Sequence, residues 1–167
     1  GGAVYSKSGN VLNSNFTGNI AKNDGGAVYL SQPSNVTNCN FAHNSAPNGG
    51  AVYFLNDNDH VTNCSFVANE AASRGGAVFF MTPQQDNVTN CYFEGNSAMN
   101  GGAIDAYSDD VSIIDCQFVN NSARNFAGAI SIETDNVTVI HSEFNQNHAK
   151  QAGAIKISGR NNTIESS

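Results

Sequence analysis

The chain has 167 residues, of which 40% are hydrophobic and only 13% are charged, and its formal net charge is −7. This negative charge excludes nonspecific attraction to nucleic acid or to an anionic membrane surface, and it favours a cation or a basic partner. No apolar run approaches the roughly 18 residues that a membrane-spanning helix requires. The sequence opens on a repeat rather than on a signal peptide, so we expect a mature piece or a fragment of a longer protein.

A short motif recurs along the whole chain. Gly-Gly-Ala followed by Val or Ile starts at residues 1, 25, 49, 75 and 101, and copies in which Ala replaces the first Gly start at residues 127 and 152. Successive copies lie 24 to 26 residues apart. A fixed period in this range is typical of repeat proteins that grow along one axis. The sequence therefore predicts a single repeat domain over residues 1–167, with one turn of a coil, or rung, starting near each copy.

The residues within each unit predict short strands. Apolar and polar residues alternate over short runs that are bounded by Asn, Gly, Ser and Asp, and no window keeps the 3.6-residue period of a helix. Because one unit cannot bury its own apolar face, its strands must pair in parallel with those of the next unit, at a spacing of about 4.8 Å. We therefore predict an all-β fold, a parallel β-helix of about seven rungs of roughly 24–26 residues.

Equivalent positions of the repeats assign side chains to the interior. The position after Gly-Gly-Ala is always Val or Ile, and the second Gly shares its face, so we expect this Gly to let the backbone approach the opposite wall closely. A Phe position and the Cys position two residues before it form another buried face, and the thiols are predicted to be free. These residues are Phe16, Phe41, Phe66, Phe93, Phe118 and Phe144, with Cys39, Cys64, Cys91 and Cys116.

An Asn stands three residues after each of these Phe residues. Asn tolerates a left-handed backbone and bonds nearby main chain, which suits a corner of the coil. Identical Asn residues that stack on successive rungs can also bond one another. We therefore predict an asparagine ladder at Asn19, Asn44, Asn69, Asn96, Asn121 and Asn147.

Two motifs in fixed order, Gly25-Gly26-Ala27-Val28 and Phe41-Ala42-His43-Asn44, recur along essentially the whole chain. This pair resembles the repeats of the chlamydial polymorphic outer membrane proteins and of the adhesin-like surface proteins of methanogenic archaea. The resemblance implies a right-handed parallel β-helix that is extracellular, displayed at the cell surface and active in adhesion. The chain departs from the pattern at Ala127 and Ala152, which replace the first Gly.

An aromatic column is the first candidate binding surface. The position after the inward Val is aromatic in four rungs and polar in the later ones, which indicates that it faces solvent. An exposed aromatic stripe is typical of surfaces that bind sugar rings or protein partners. The alternative is a ladder whose rings only stabilise one another. The residues are Tyr5, Tyr29, Tyr53 and Phe79.

Acidic residues recur in the turn after the first strand of four consecutive rungs, so they stack along one edge of the predicted coil. Carboxylates in this arrangement are candidate ligands for Ca²⁺, and otherwise the sequence indicates no cofactor. The alternative is a solvated acidic edge that blocks sideways sheet pairing. Basic residues such as Arg74 fall at a different corner, which disfavours catalysis by paired carboxylates. The acidic residues are Asp57, Asp59, Asp86, Asp109, Asp110, Glu133 and Asp135.

Three glycosylation sequons are predicted to lie in an exposed turn just before a strand, at Asn35, Asn87 and Asn136. In an exported archaeal or eukaryotic protein they are candidate sites for N-linked glycans.

The leading functional prediction is a non-enzymatic, extracellular β-helix that binds host, cell or glycan surfaces. An alternative follows from the two ends of the coil, where no polar cap covers the strand edges. Such edges fit a subunit that stacks end to end into a homopolymeric fibre, or a fragment of a longer coil. A polysaccharide lyase or hydrolase is the third interpretation, and the absence of a long loop that would form a cleft disfavours it.

Overall fold

The computed structural model describes residues 1–82 and 84–165, so Ser167, where the predicted last rung ends, lies outside the described residues. All regular structure in the described part is β-strand. The first three rungs contain β1 (Val4–Ser6), β2 (Gly9–Leu12) and β3 (Asn15–Thr17); β4 (Val28–Leu30), β5 (Ser34–Thr37), β6 (Asn40–Ala42) and β7 (Ser45–Asn48); and β8 (Val52–Phe54), β9 (His60–Thr62), β10 (Ser65–Val67) and β11 (Glu70–Arg74).

The later rungs repeat this order. They contain β12 (Val78–Phe80), β13 (Asn87–Thr89), β14 (Tyr92–Glu94) and β15 (Ser97–Asn100); β16 (Ile104–Ala106), β17 (Ser112–Ile114), β18 (Gln117–Val119) and β19 (Ser122–Phe126); β20 (Ile130–Ile132), β21 (Thr138–Ile140), β22 (Glu143–Asn145) and β23 (His148–Gln151); and β24 (Ile155–Ile157) and β25 (Thr163–Glu165).

Four parallel sheets run along the coil, because each strand pairs with the equivalent strand of the next rung. We number the sheets 1 to 4 by the position of their strands in the rung, so that sheet 1 begins with β1, sheet 2 with β2, sheet 3 with β3 and sheet 4 with β7. Five rungs contain all four strands, and the first and last described rungs are partial. The predicted parallel β-helix is confirmed, with about six turns where the sequence indicated about seven. No helix long and apolar enough to cross a membrane occurs among the described residues.

The core is a set of side-chain columns that run the length of the coil. Phe66, Phe93 and Phe118 are fully buried, and their ring centroids are 4.8 Å apart with planes within 3° of parallel. The inward position of sheet 1 is fully buried as well, as at Val52 and Ile104. Each fully buried side chain of this size contributes about 1.5–3 kcal/mol. The predicted inward columns are therefore confirmed, and repetition supplies the stability that one rung lacks.

The two glycines of the repeated motif have different roles. A Cβ added to Gly50, the second Gly of its rung, would lie 2.6 Å from the carbonyl oxygen of Glu70 on sheet 4, so the predicted close approach of two walls is confirmed. The first Gly, as at Gly25 with φ of 67°, turns the chain through the left-handed region, a role that the sequence pattern alone did not indicate. Ala127 and Ala152 adopt the same conformation, with φ of 57° and 56°.

The asparagine ladder forms the corner between sheets 3 and 4. In Asn69 the Nδ2 group donates to Oδ1 of Asn96 and to the carbonyl oxygen of Phe41, both at 3.0 Å. Its Oδ1 accepts the backbone N–H of Asn44 at 3.0 Å. Each buried amide is thus paired along the coil, as predicted. The Cys column caps another corner in a similar way, since the backbone N–H of Cys39 points to Sγ of Cys64 at 3.4 Å, and the thiols are buried and free.

Candidate binding surface

The aromatic column lies on the outer face of sheet 1. Tyr5, Tyr29 and Tyr53 are in register on successive rungs, and their stacked rings have centroids 5.2 Å and 4.9 Å apart. Phe79 continues the column with a tilted ring 5.5 Å from Tyr53, and Tyr107 meets Phe79 edge to face at 5.7 Å. The structure therefore joins the four predicted residues into one ladder and extends it by one ring.

The ladder is most open to solvent at Tyr5 and is buried in its middle. Tyr5 is 64% exposed and Tyr29 is half-buried, whereas Tyr53 and Phe79 are only 5% and 2% exposed. The prediction of exposure is therefore wrong for Tyr53 and Phe79, because neighbouring rings cover their faces. A sugar ring binds to an aromatic face, and the inner faces of this column are already occupied. The ring edge and hydroxyl group are the accessible parts of Tyr29, and Tyr5 also keeps one ring face open.

The polar continuation of the column is also buried. Asp105 and Ser131 follow Phe79 in register, and they are 0% and 1% exposed. The Nη1 atom of Arg74 lies 3.3 Å from Oδ2 of Asp105, and its guanidinium carbon lies 4.3 Å from the centre of the Tyr107 ring. Burial raises the pKa of Asp105 to about 7, although Arg74 opposes this shift. Arg74 lies at a corner away from the acidic turn, as predicted, and that corner adjoins the outer face of sheet 1.

The acidic turn is divided between interior and surface. Asp59 and Asp86 are fully buried on adjacent rungs. The backbone N–H of Ser34 donates to Oδ1 of Asp59 at 2.7 Å, and the N–H of Asp59 donates to Oδ1 of Asp86 at 2.9 Å. Burial, with repulsion between the two carboxyls, raises the pKa of Asp59 to about 8, and burial raises the pKa of Asp86 to about 7. The interpretation as a solvated edge is wrong for these two residues.

The alternation of inward and outward positions along the sequence already indicated that these two carboxyls are buried. Asp59 stands two residues before Val61, and Asp86 two residues before Val88, and both Val residues are fully buried. Since residues two apart in a strand share a face, the two carboxyls had to point inward.

The other acidic residues of the turn do not form a metal site with Asp59 and Asp86 in the described part of the chain. Asp57 and Asp109 are half-buried, and Asp110, Glu133 and Asp135 are exposed. Within residues 1–82 and 84–165, no group of three acidic, His or Cys side chains is placed to hold a metal ion. The predicted calcium ligands therefore do not converge in the described part of the chain.

The three predicted sequons differ in their settings. Asn136 is exposed in a turn, as expected, with φ of 58°. Asn35 and Asn87 lie within β5 and β13 rather than in turns, and both are half-buried. The Nδ2 group of Asn35 donates to Oδ1 of Asn10 at 2.9 Å, so its amide is engaged in a ladder. Among the three, Asn136 presents its side chain most openly, and glycosylation at all three stays a prediction.

A coil of short parallel strands, with stacked side chains that run from rung to rung, defines the class of parallel β-helix repeat proteins. Within that class, residues 13–31 and 90–107 match the family model described as the Chlamydia polymorphic membrane protein repeat. The match confirms the resemblance to the chlamydial repeats that the two repeated motifs indicated. Comparisons with curated proteins and with solved structures gave no match. The repeat and the fold together indicate a surface-type repeat protein.

Proposed function

We propose that this chain is an extracellular, non-enzymatic β-helix that is displayed at a cell surface and acts in adhesion. The observation that carries the proposal is the match of two segments to a repeat of chlamydial membrane proteins, in a coil whose core Phe rings stack continuously from Phe16 to Phe144. A rigid coil presents equivalent groups about every 4.8 Å along its axis. Such regular spacing favours binding to a surface through several weak contacts at once.

The accessible end of the aromatic column is the first contact surface of this proposal. Both faces of the Tyr29 ring pack on other tyrosines, so Tyr29 offers its ring edge and hydroxyl group, and Tyr5 adds one open ring face. Edges and hydroxyl groups beside a single open face suit edge contacts and hydrogen bonds with a protein surface better than stacking on a row of sugar rings. The partner of this column is therefore a protein surface.

Burial of the two inward carboxyls supports a non-enzymatic role. Asp59 and Asp86 are fully enclosed by the coil, so neither carboxyl reaches a substrate. A paired-carboxylate hydrolase or lyase needs both groups at the reacting bond. An assay for release of reducing sugars from polysaccharides is expected to show no activity, and release above that of a heat-denatured sample would contradict this role.

The test of adhesion uses beads coated with the protein and cultured epithelial cells as the probe. Wild-type beads are expected to bind cells above the level of albumin-coated beads. The double change Tyr5→Ser and Tyr29→Ser is expected to reduce bead binding several-fold, whereas the control Thr37→Ser on sheet 2 leaves it unchanged. Wild-type binding at the albumin level would refute adhesion to these cells, and full binding by the double variant would refute the role of the column.

End-to-end assembly is a second candidate function. The ladder of core rings continues to the outermost strands of sheet 3, where Phe16 and Phe144 stack on their inner neighbours at 5.0 Å and 4.9 Å. Among the described residues, β3 and β22 are the outermost strands of sheet 3, and their outer edges are able to pair with further rungs of a longer chain or with a second copy. Concentration-dependent filaments in negative-stain micrographs are expected for assembly, and monodisperse particles at all concentrations would contradict it.

A further inference from the structure

An open groove of about 350 Å³ lies at the corner between sheets 2 and 3. Its volume is at the small end of the range of about 300–1,000 Å³ that is usual for ligand sites. Two columns of outward-facing residues line the groove. One column is formed by the corner residues of three rungs, and the other by the first outward position of sheet 3 in the same rungs. The lining residues that matter below are Asn63, Asn90 and Asp115 in the first column, and Ser65, Tyr92 and Gln117 in the second.

Tyr92 differs from the rings on sheet 1. Its neighbours in register are Ser65 on one rung and Gln117 on the other, so no aromatic ring stacks on it from the same column. In Tyr29, by contrast, both ring faces meet other tyrosines. Tyr92 is half-buried beside the small Ser65 side chain, which leaves ring surface facing the groove. An aromatic face in this setting can pack on the apolar C–H face of a ligand ring.

The corner column presents hydrogen-bond acceptors. An exposed amide ladder runs along it, in which Nδ2 of Asn90 donates to Oδ1 of Asn63 at 2.7 Å. The next rung has Asp115 in place of Asn, and an ionised carboxylate only accepts hydrogen bonds. It cannot donate to Oδ1 of Asn90, so the ladder stops and two acceptors lie side by side. His141 also lies beside this carboxylate, with Nδ1 3.5 Å from Oδ1 of Asp115.

We propose that this groove binds a carbohydrate without acidic groups. Adjacent sugar hydroxyls supply the donors that Asn90 Oδ1 and the Asp115 carboxylate lack, and the Gln117 amide both donates and accepts. The Tyr92 ring packs on the sugar's C–H face. The Asp115 charge and the net charge of −7 disfavour sialylated or sulfated sugars. This inference rests on the proposed adhesive function, and it assigns glycan recognition to the groove rather than to the aromatic column.

The test uses the full chain on a glycan array, followed by calorimetry with cellotriose, mannotriose and chitotriose and with 3′-sialyllactose as the acidic probe. At least one of the three neutral probes is expected to bind, and 3′-sialyllactose is not. Tyr92→Ser is expected to weaken binding at least about tenfold, the usual size of effect for an aromatic anchor. Ser already occupies this column at Ser65, so the substitution suits the fold.

A second variant tests the hydrogen bonds separately. Asp115→Asn supplies an amide that donates to Oδ1 of Asn90 and so continues the ladder. It is expected to weaken sugar binding while thermal stability stays the same or rises, which distinguishes loss of the site from loss of the fold. Asn40→Ser, in the column of Tyr92 but outside the groove, is the matched control and keeps wild-type affinity.

Two results would overturn the proposal. If Tyr92→Ser and Asp115→Asn bind the neutral probe as the wild type does, the groove is not the site. If none of the neutral sugars binds, the groove does not recognise carbohydrate. The bead assay with cells then shows whether adhesion stands without the groove, so failure of this inference is distinguishable from failure of the proposed function.

Discussion

Asp59 and Asp86 are carboxyls whose pKa values the coil raises strongly. Their Oδ1 atoms accept backbone N–H groups, but their Oδ2 atoms are buried and have no hydrogen-bond partner among the described residues. A buried carboxylate without a cation is costly, so the neutral acid is the favoured form. The same column contains Asn162, whose Oδ1 accepts the N–H of Val137 at 2.9 Å. An amide oxygen thus accepts the backbone N–H at this position as well, so a negative charge is not required for this hydrogen bond.

These two carboxyls predict a stability that falls as pH rises. Their pKa values are about 8 and about 7 in the folded chain, against the ordinary value of 3.8. Between about pH 4 and pH 8 the folded state therefore holds more protons than the unfolded state, and the slope of stability against pH is negative. The contribution is complete below pH 4 and is lost as pH rises through 7 and 8. Thermal melts are expected to show a lower midpoint at pH 8 than at pH 5.

The variant Asp59→Asn removes one of the two carboxyls and keeps the acceptor for the Ser34 N–H. Its melting temperature is expected to depend less on pH and to exceed that of the wild type at pH 8 by about 3 °C or more. Asp110→Asn, at an exposed position of the turn, is the control and leaves the pH dependence unchanged. If the melting temperature of Asp59→Asn changes with pH as steeply as that of the wild type, the Asp59 carboxyl is not the source of the pH dependence.

At the scale of the rung, the turn before each first strand depends on a left-handed residue. Gly75 and Gly101 have φ of 59° and 58° there, and Ala127 has φ of 57°. An L-residue in this region costs roughly 1–2 kcal/mol. Ala127 is therefore a point of strain in the sixth rung, in a position that the earlier rungs fill with Gly.

Ala127→Gly is expected to stabilise the chain. Relief of the left-handed Ala outweighs the backbone entropy of the new Gly, about 0.5–1 kcal/mol. A net gain near 1 kcal/mol raises the melting temperature by about 2–4 °C for a chain of this size. Gly101→Ala is the reciprocal variant and is expected to destabilise, because its Cβ would lie 2.7 Å from the carbonyl carbon of Ile104. A lower melting temperature for Ala127→Gly would contradict the argument.

Much of this fold could be predicted from the sequence, because equivalent positions of successive repeats can be compared with one another. A column that is always Val or Ile must face inward, and Phe-x-x-Asn places a buried ring and a corner at a fixed distance. The covering of the outer faces could not be predicted in this way. The alternation of the strand places Asp105 on the outer face of sheet 1. Its burial depends on Arg74, which lies at the corner between sheets 4 and 1. The groove at Tyr92 likewise depends on the sizes of side chains from three different rungs.

At the scale of the whole molecule, the described structure is a one-dimensional stack in which each rung contacts only its neighbours. Stability in such a protein is close to a sum of terms for single rungs and for interfaces between them. The hydrogen-bonded ladders and the stacked rings all cross those interfaces, as between Phe66 and Phe93. A defect in a central rung therefore weakens two interfaces, whereas a defect in an outermost described rung weakens little.

The second Gly of the motif offers a matched pair of defects. A Cβ on Gly76 would lie 2.7 Å from the backbone nitrogen of Ser97 and would collide with the carbonyl oxygen of Gly102 in the next rung, and neither wall can move without breaking a ladder. A Cβ on Gly153 would meet only the carbonyl oxygen of Asn147, at 3.3 Å. We therefore expect Gly76→Ala to lose more than about 3 kcal/mol and Gly153→Ala less than about 1 kcal/mol.

Urea unfolding followed by far-ultraviolet circular dichroism measures both variants against the wild type. Because Gly76 lies between two sets of rungs, its variant is also expected to unfold over a broader range of urea, as the two halves lose their coupling. Gly153→Ala should keep the wild-type slope, since the rungs before it stay intact. Equal losses in the two variants would mean that the interfaces are not the source of cooperativity, and that the close approach of sheets 1 and 4 tolerates a methyl group.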